Sequence, residues 1–181
     1  MITKKCSIKG ITPIMFDRYP GDNKTMLPPQ EKMYFGKNTR KLIIPSVNIM
    51  SFLCAENTKS AVKTFYDPRK YKRVSQAILG FVVIEPFKIP LMRNDKQLEF
   101  EEFDKNGIWL HKSVARLEKG VTNPKERPVI DQPWELFFTL KLFPNDEISE
   151  TEIKLLFERG GFSIGLGTYR GMFGKFEFSW E

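Results

Sequence analysis

The chain has one histidine, His111, and two cysteines, Cys6 and Cys54, among 181 residues. Neither cysteine has C-x-x-C spacing or a histidine nearby, and both stand in apolar stretches. Buried structural thiols are therefore expected, with no disulfide, no zinc or other metal site and no cofactor. No apolar run approaches the roughly 20 residues that a membrane-spanning helix requires. Met1 to Gly10 also lacks the apolar core of a signal peptide, so a cytoplasmic protein without a membrane partner is expected. No internal repeat and no low-complexity tract interrupts the sequence.

What the chain holds in excess is positive charge and aromatic surface. Lys and Arg number 29 against 22 Asp and Glu, giving a net charge of +7 and a pI near 9.4. A basic balance favours a polyanionic partner, because each neutralised phosphate releases a condensed counterion. The excess is concentrated in Lys59, Lys63, Arg69, Lys70, Lys72 and Arg73, opposed over that stretch only by Asp67. Acids gather instead at Glu99, Glu101, Glu102 and Asp104, so the folded chain should have a positive side. Phe65, Tyr66 and Tyr71 interleave the basic run, a pattern suited to a single strand whose phosphates meet Lys/Arg and whose bases stack on rings. With 41% hydrophobic residues and sixteen Phe, the chain can offset the entropy of ordering, and its length predicts a single domain over residues 1–181.

A first strand is predicted from about Lys4 to Ile14, followed by a turn-rich loop from Phe16 to Pro29. Leu42 to Ile44 form a short apolar run stopped by Pro45, after which Ser46 is placed to cap a helix reaching about Lys63. Ala77 to Ile84 reads as a strand buried on both faces, with Pro86 and Pro90 bracketing its exit. From Leu91 to Asp131 the pattern weakens: Asp104-Lys105-Asn106-Gly107 signals a hairpin, and Ile108 to Leu117 returns from it. Trp134 to Phe143 is a strand, and Ser149-Glu150-Thr151-Glu152 has the form of a capping box opening a helix that Gly160 and Gly161 end. Lys175 to Trp180 closes the chain as a strand. The order predicts an α+β, ferredoxin-like (RRM-like) domain: an antiparallel sheet with two helices on one face and a β-hairpin insertion at about 91–131.

Between the last helix and strand, Gly165, Gly167, Gly171 and Gly174 alternate with apolar, aromatic and basic residues. Glycine permits positive φ and close approach of a foreign backbone, so successive peptide N–H groups could line a concavity for phosphate. Tyr169 would stack on a base, and Arg170, with Lys175 nearby, would pair with phosphate. The segment is not a dinucleotide fingerprint, since Arg170 takes the third glycine's place and the order is helix to strand. Nor is it a Walker A loop, because Phe176 follows Gly174-Lys175.

Ile164-Gly165-Leu166-Gly167 followed by Gly171-Met172-Phe173-Gly174 resembles the C-terminal glycine-rich loop of the RAMP superfamily, the RNA-binding proteins of CRISPR effector complexes in antiviral defence. Leu42-Ile43-Ile44-Pro45-Ser46-Val47-Asn48-Ile49 is similar to the helix entry of that superfamily's backbone subunits. The resemblance implies a protein that grips single-stranded RNA or DNA by its phosphates and associates with itself along the strand or with CRISPR subunits. It also implies a hairpin thumb, for which residues 91–131 are the candidate, with Trp109 at its hairpin. A phage or mobile-element relative fits the same motifs.

Two further readings stand beside single-strand binding. One is a phage interaction protein that copies a backbone subunit and inhibits a CRISPR complex. The other is a metal- or His-dependent ribonuclease, since members of the superfamily cut RNA with a histidine or a loop aspartate. His111 lies in the insertion, apart from the glycine loop, and Asp17 and Asp22 read as turn-capping carboxylates. No catalytic residue is therefore assigned.

Overall fold

The computed structural model describes residues 1–116, 120 and 122–181. In chain order the strands are β1 (Ile2–Gly10), β2 (Ile14–Met15), β3 (Ile43–Pro45), β4 (Val82–Glu85), β5 (Lys88–Arg93), β6 (Lys96–Gln97), β7 (Ile108–Arg116), β8 (Thr122–Ile130), β9 (Glu135–Leu142) and β10 (Phe176–Trp180). The α-helices are α1 (Ser46–Cys54), α2 (Ala61–Phe65), α3 (Tyr71–Phe81) and α4 (Glu150–Ser163). The fold is thus α+β, with antiparallel sheets.

The larger sheet is built around β1 and β9. Period-two alternation buries Cys6 and Ile8 of β1 and Leu136, Phe138, Leu140 and Leu142 of β9 on one face. Ile8 lies opposite Phe178 of β10 on one side and Leu136 of β9 on the other. The far edge of β9 is shared by β4, with Ile84 opposite Leu140, and β5, with Leu91 opposite Leu136. The order is β10, β1, β9, β5, β3, with β4 also on β9. Helices α1 and α4 cover the apolar face through rings: Phe157 stacks on Phe178 at 4.3 Å, and Phe52 meets Phe176 at 5.3 Å. Each such burial contributes roughly 1.5–3 kcal/mol. The opposite face keeps Lys5, Thr139 and Phe137 accessible.

β7 and β8 form a hairpin that pairs with β2, Ile14 opposite Ile130, making a second, three-stranded sheet. The predicted insertion therefore contains a hairpin, but its turn is not Asp104–Gly107. That tetrapeptide is a tight turn entering β7, in which Asp104 N–H donates to the Ile108 carbonyl at 2.7 Å. Leu117, predicted at the end of the returning strand, lies outside the described residues.

Several predicted boundaries move. The first strand ends at Gly10, and Ile14 joins the second sheet. Helix α1 begins at Ser46 itself, after Pro45, and stops at Cys54; Ser60 then caps α2 by accepting from Lys63 N–H at 3.3 Å. Ala77 to Phe81 is helix, not strand. Val74, Ala77, Ile78 and Phe81 repeat at helical spacing toward the core while Leu79 stays 59% exposed, so an apolar run that reads as a buried strand is one face of α3 plus the start of β4. The strand does end before Pro86, at Glu85, but Pro90 does not bracket that exit: it lies inside β5, which begins at Lys88, opposite Ile43. Gly160 and Gly161 lie within α4 because the helix is pressed against its neighbours. A Cβ on Gly160 would stand 2.6 Å from the Phe52 ring, and one on Gly161 would stand 2.5 Å from the Phe176 carbonyl oxygen.

Candidate nucleic-acid interface

The segment from Ile164 to Lys175 is a closed loop sewn to the start of the chain. Gly165 and Gly174 have φ of 79° and 76° and pass so closely that a Cβ on Gly165 would lie 2.6 Å from the Gly174 carbonyl oxygen. Leu166 N–H donates to that oxygen at 2.9 Å, Thr168 N–H to Met15 at 2.8 Å and Gly174 N–H to Pro13 at 2.7 Å. Gly171 N–H donates to Ile164 at 3.1 Å. A loop packed this tightly must satisfy its own donors. These N–H groups are therefore not the free phosphate cradle that the glycine spacing suggests. The loop offers side chains instead: Tyr169, 59% exposed with φ of 53°, Arg170, and Lys175.

Arg170 is half-buried, and burial holds its guanidinium pKa below the usual arginine value. Nη1 donates to the Lys59 carbonyl at 2.7 Å and Nε to the Gly167 carbonyl at 3.3 Å. The structure thus brings the glycine loop to the start of the basic segment. Along that segment Lys59, Arg69, Lys70 and Lys72 are exposed, and among the described residues no ion pair engages their side chains. Lys63 donates from Nζ to the Glu56 carbonyl at 3.0 Å. Arg73 is engaged too: it takes both carboxylate oxygens of Glu147, at 2.6 and 2.8 Å, and holds that carboxyl below its ordinary pKa. The interleaved rings serve the fold. Phe65 lies under the Arg159 guanidinium at 4.3 Å, and Tyr66 donates to Glu152 at 3.1 Å; burial, helped by that bond, pushes its phenol up to about 12.

Beside the loop opens a cleft of about 450 Å³. Asn48, Ser51 and Ala55, at i, i+3 and i+7 of α1 and its C-cap, supply one wall while Ile49, Phe52 and Leu53 face the core. Asn57 and Thr58 follow the helix, Thr168 and Arg170 come from the glycine loop, and Tyr19 from the first long loop. Sequence reasoning missed Asn48, Asn57 and Thr168: each is an ordinary polar residue, and no spacing links the three positions.

Asp17 also borders this cleft, but its carboxylate is an anchor, accepting from Arg127 at 2.7 Å and facing Lys32 at 3.5 Å. Asp22 caps a turn, accepting from Lys24 N–H and Thr25 N–H, and the Thr25 bonds keep its pKa low. Trp109 sits at the base of the β7–β8 hairpin and donates to Asp131 at 2.9 Å. His111 is not apart from the glycine loop, as the sequence suggests; its ring lies 5.7 Å from that of Phe173, edge-on. The hairpin folds back because Met15, which pairs with Val129 of β8, also accepts from Thr168 N–H of the loop. Cys6 and Cys54 are buried free thiols, raised to about 12 by desolvation. Among the described residues, no three His, Cys, Asp or Glu side chains are grouped to hold a metal ion, and no helix is long and apolar enough to cross a membrane. No protein-family model and no curated protein sequence matches the chain.

Proposed function

We propose that the protein binds single-stranded nucleic acid, RNA in the first instance, on a RAMP-like, ferredoxin-like scaffold. The sheet order β10, β1, β9, β4, with α1 and α4 on one face, supports the scaffold. One observation carries the functional reading: the Arg170–Lys59 hydrogen bond brings the glycine loop against the start of the basic segment. Along it, Lys59, Lys70 and Lys72 neutralise phosphates while Tyr169 offers an exposed ring for a base. Lys175 extends the track at the loop's far end. The β7–β8 hairpin is the thumb, resting on the loop through His111 and Phe173.

The test is to purify the protein without nuclease and record its absorbance ratio and the length of any protected strand. Co-purified RNA of defined length is expected. A preparation free of nucleic acid that also fails to bind added RNA at low salt would sink the reading and favour a protein partner.

A further inference from the structure

The cleft beside the glycine loop differs in chemistry from the lysine track it adjoins. A phosphate site needs net positive charge, and the lining of this cleft has none: among the described residues it holds one cation, Arg170, and one anion, Asp17. Arg170 also directs Nε and Nη1 to the carbonyls of Gly167 and Lys59. The rest of the lining is neutral. Among the described residues, no hydrogen bond involves the side chains of Asn48, Ser51, Asn57 or Thr168, so two carboxamides and two hydroxyls face a space of about 450 Å³ unpaired. A carboxamide carries a donor and an acceptor side by side, the pattern that meets the edge of a nucleobase. Tyr19, 63% exposed and tethered through its hydroxyl to Asn23 at 3.1 Å, adds a ring face at the rim.

We propose that this cleft seats one unpaired base of the bound strand, with Asn48 and Asn57 hydrogen-bonding its edge and Tyr19 stacking on its face. The inference rests on the single-strand reading above and adds sequence preference to it. Chain connectivity supports it. Asn57 lies two residues from Lys59, a span of at most about 7 Å, so the base-reading and phosphate-reading groups reach the same stretch of strand. The volume is that of a small-molecule site and leaves room for a purine or a pyrimidine.

The experiment compares fluorescence-anisotropy affinities for poly-A, poly-U and poly-C ribo-oligomers of equal length with an abasic ribose-phosphate strand of that length. The proteins are wild type, Asn48→Ala, Asn57→Ala and Tyr19→Leu. None of these side chains is in the core, so each variant should melt as wild type does. Wild type is expected to prefer one homopolymer by about tenfold and to bind the abasic strand most weakly. Asn48→Ala and Asn57→Ala should each flatten the preference without changing affinity for the abasic strand, and Tyr19→Leu should weaken all base-bearing strands alike. Equal wild-type affinity for abasic and base-bearing strands overturns the base pocket and leaves the phosphate track standing. A preference that survives both asparagine variants also overturns it. If no strand binds, the single-strand reading falls and the pocket with it.

Discussion

Arg170 donates from Nη1 to the carbonyl oxygen of Lys59 at 2.7 Å, joining residues 111 apart in the chain. A hydrogen bond involving a charged group is worth about 1.5–3 kcal/mol. This one is exposed, which places it toward the lower end, because water can take the Lys59 carbonyl once the donor is removed. Arg170 is therefore a strut as well as a surface residue. Arg170→Ala should lower the melting temperature by about 3–10 °C in calorimetry, on the usual scale for a chain of this size. Arg170→Lys should recover only part of the loss, because lysine lacks the planar fork that reaches both carbonyls.

The loop's glycines should separate into two classes. A Cβ on Gly174 would collide with the Leu166 carbonyl, whereas one on Gly171 would enter open space, though both have positive φ. Gly171→Ala should cost about 1–2 kcal/mol of backbone strain. Gly174→Ala should cost more than about 3 kcal/mol or prevent folding, since carbonyl backbone cannot yield as a side chain does. Urea denaturation of the two variants measures the difference.

The α4 capping box is formed as the sequence predicts, with Ser149 and Glu152 bonding reciprocally. Ser149→Ala should destabilise by about 1 kcal/mol. Burial pushes the Glu152 carboxyl up, but bonds from the Ser149 N–H and hydroxyl and from Tyr66 outweigh it, so its pKa lies below the ordinary 4.5. A depressed carboxyl stabilises the fold above its unfolded pKa, and the contribution is lost as pH falls through the folded value. The stability gap between wild type and Glu152→Gln should therefore be full above about pH 4.5 and close below it.

The capping box was legible because its partners sit three residues apart. So were the period-two strands β9 and β10, whose buried faces the side-chain order declares. The extent of α3 was not, because Val82 to Ile84 continue its apolar run without a break. Gly160 and Gly161 read as a helix stop, and only the crossing of α4 over Phe52 and Phe176 explains them as packing residues. In the candidate interface, the basic segment and the glycine loop were visible as local composition. The engagement of Arg73 by Glu147, and the meeting of Asn48, Asn57 and Thr168 at one cleft, arise from contacts between distant segments that no local pattern encodes.

The salt dependence of RNA affinity tests the central claim most directly. Lys59, Lys70 and Lys72 are exposed and free of ion pairs among the described residues, while Arg73 is held by Glu147. For a single strand, log K should fall linearly with log salt by about 0.7 per neutralised phosphate. Reversing the three lysines to glutamate should reduce that slope by about 2 and weaken binding to every sequence, whereas Arg73→Ala should change it by less than any one of them. A slope unchanged in the triple variant, or wild-type affinity indifferent to salt, would contradict the account.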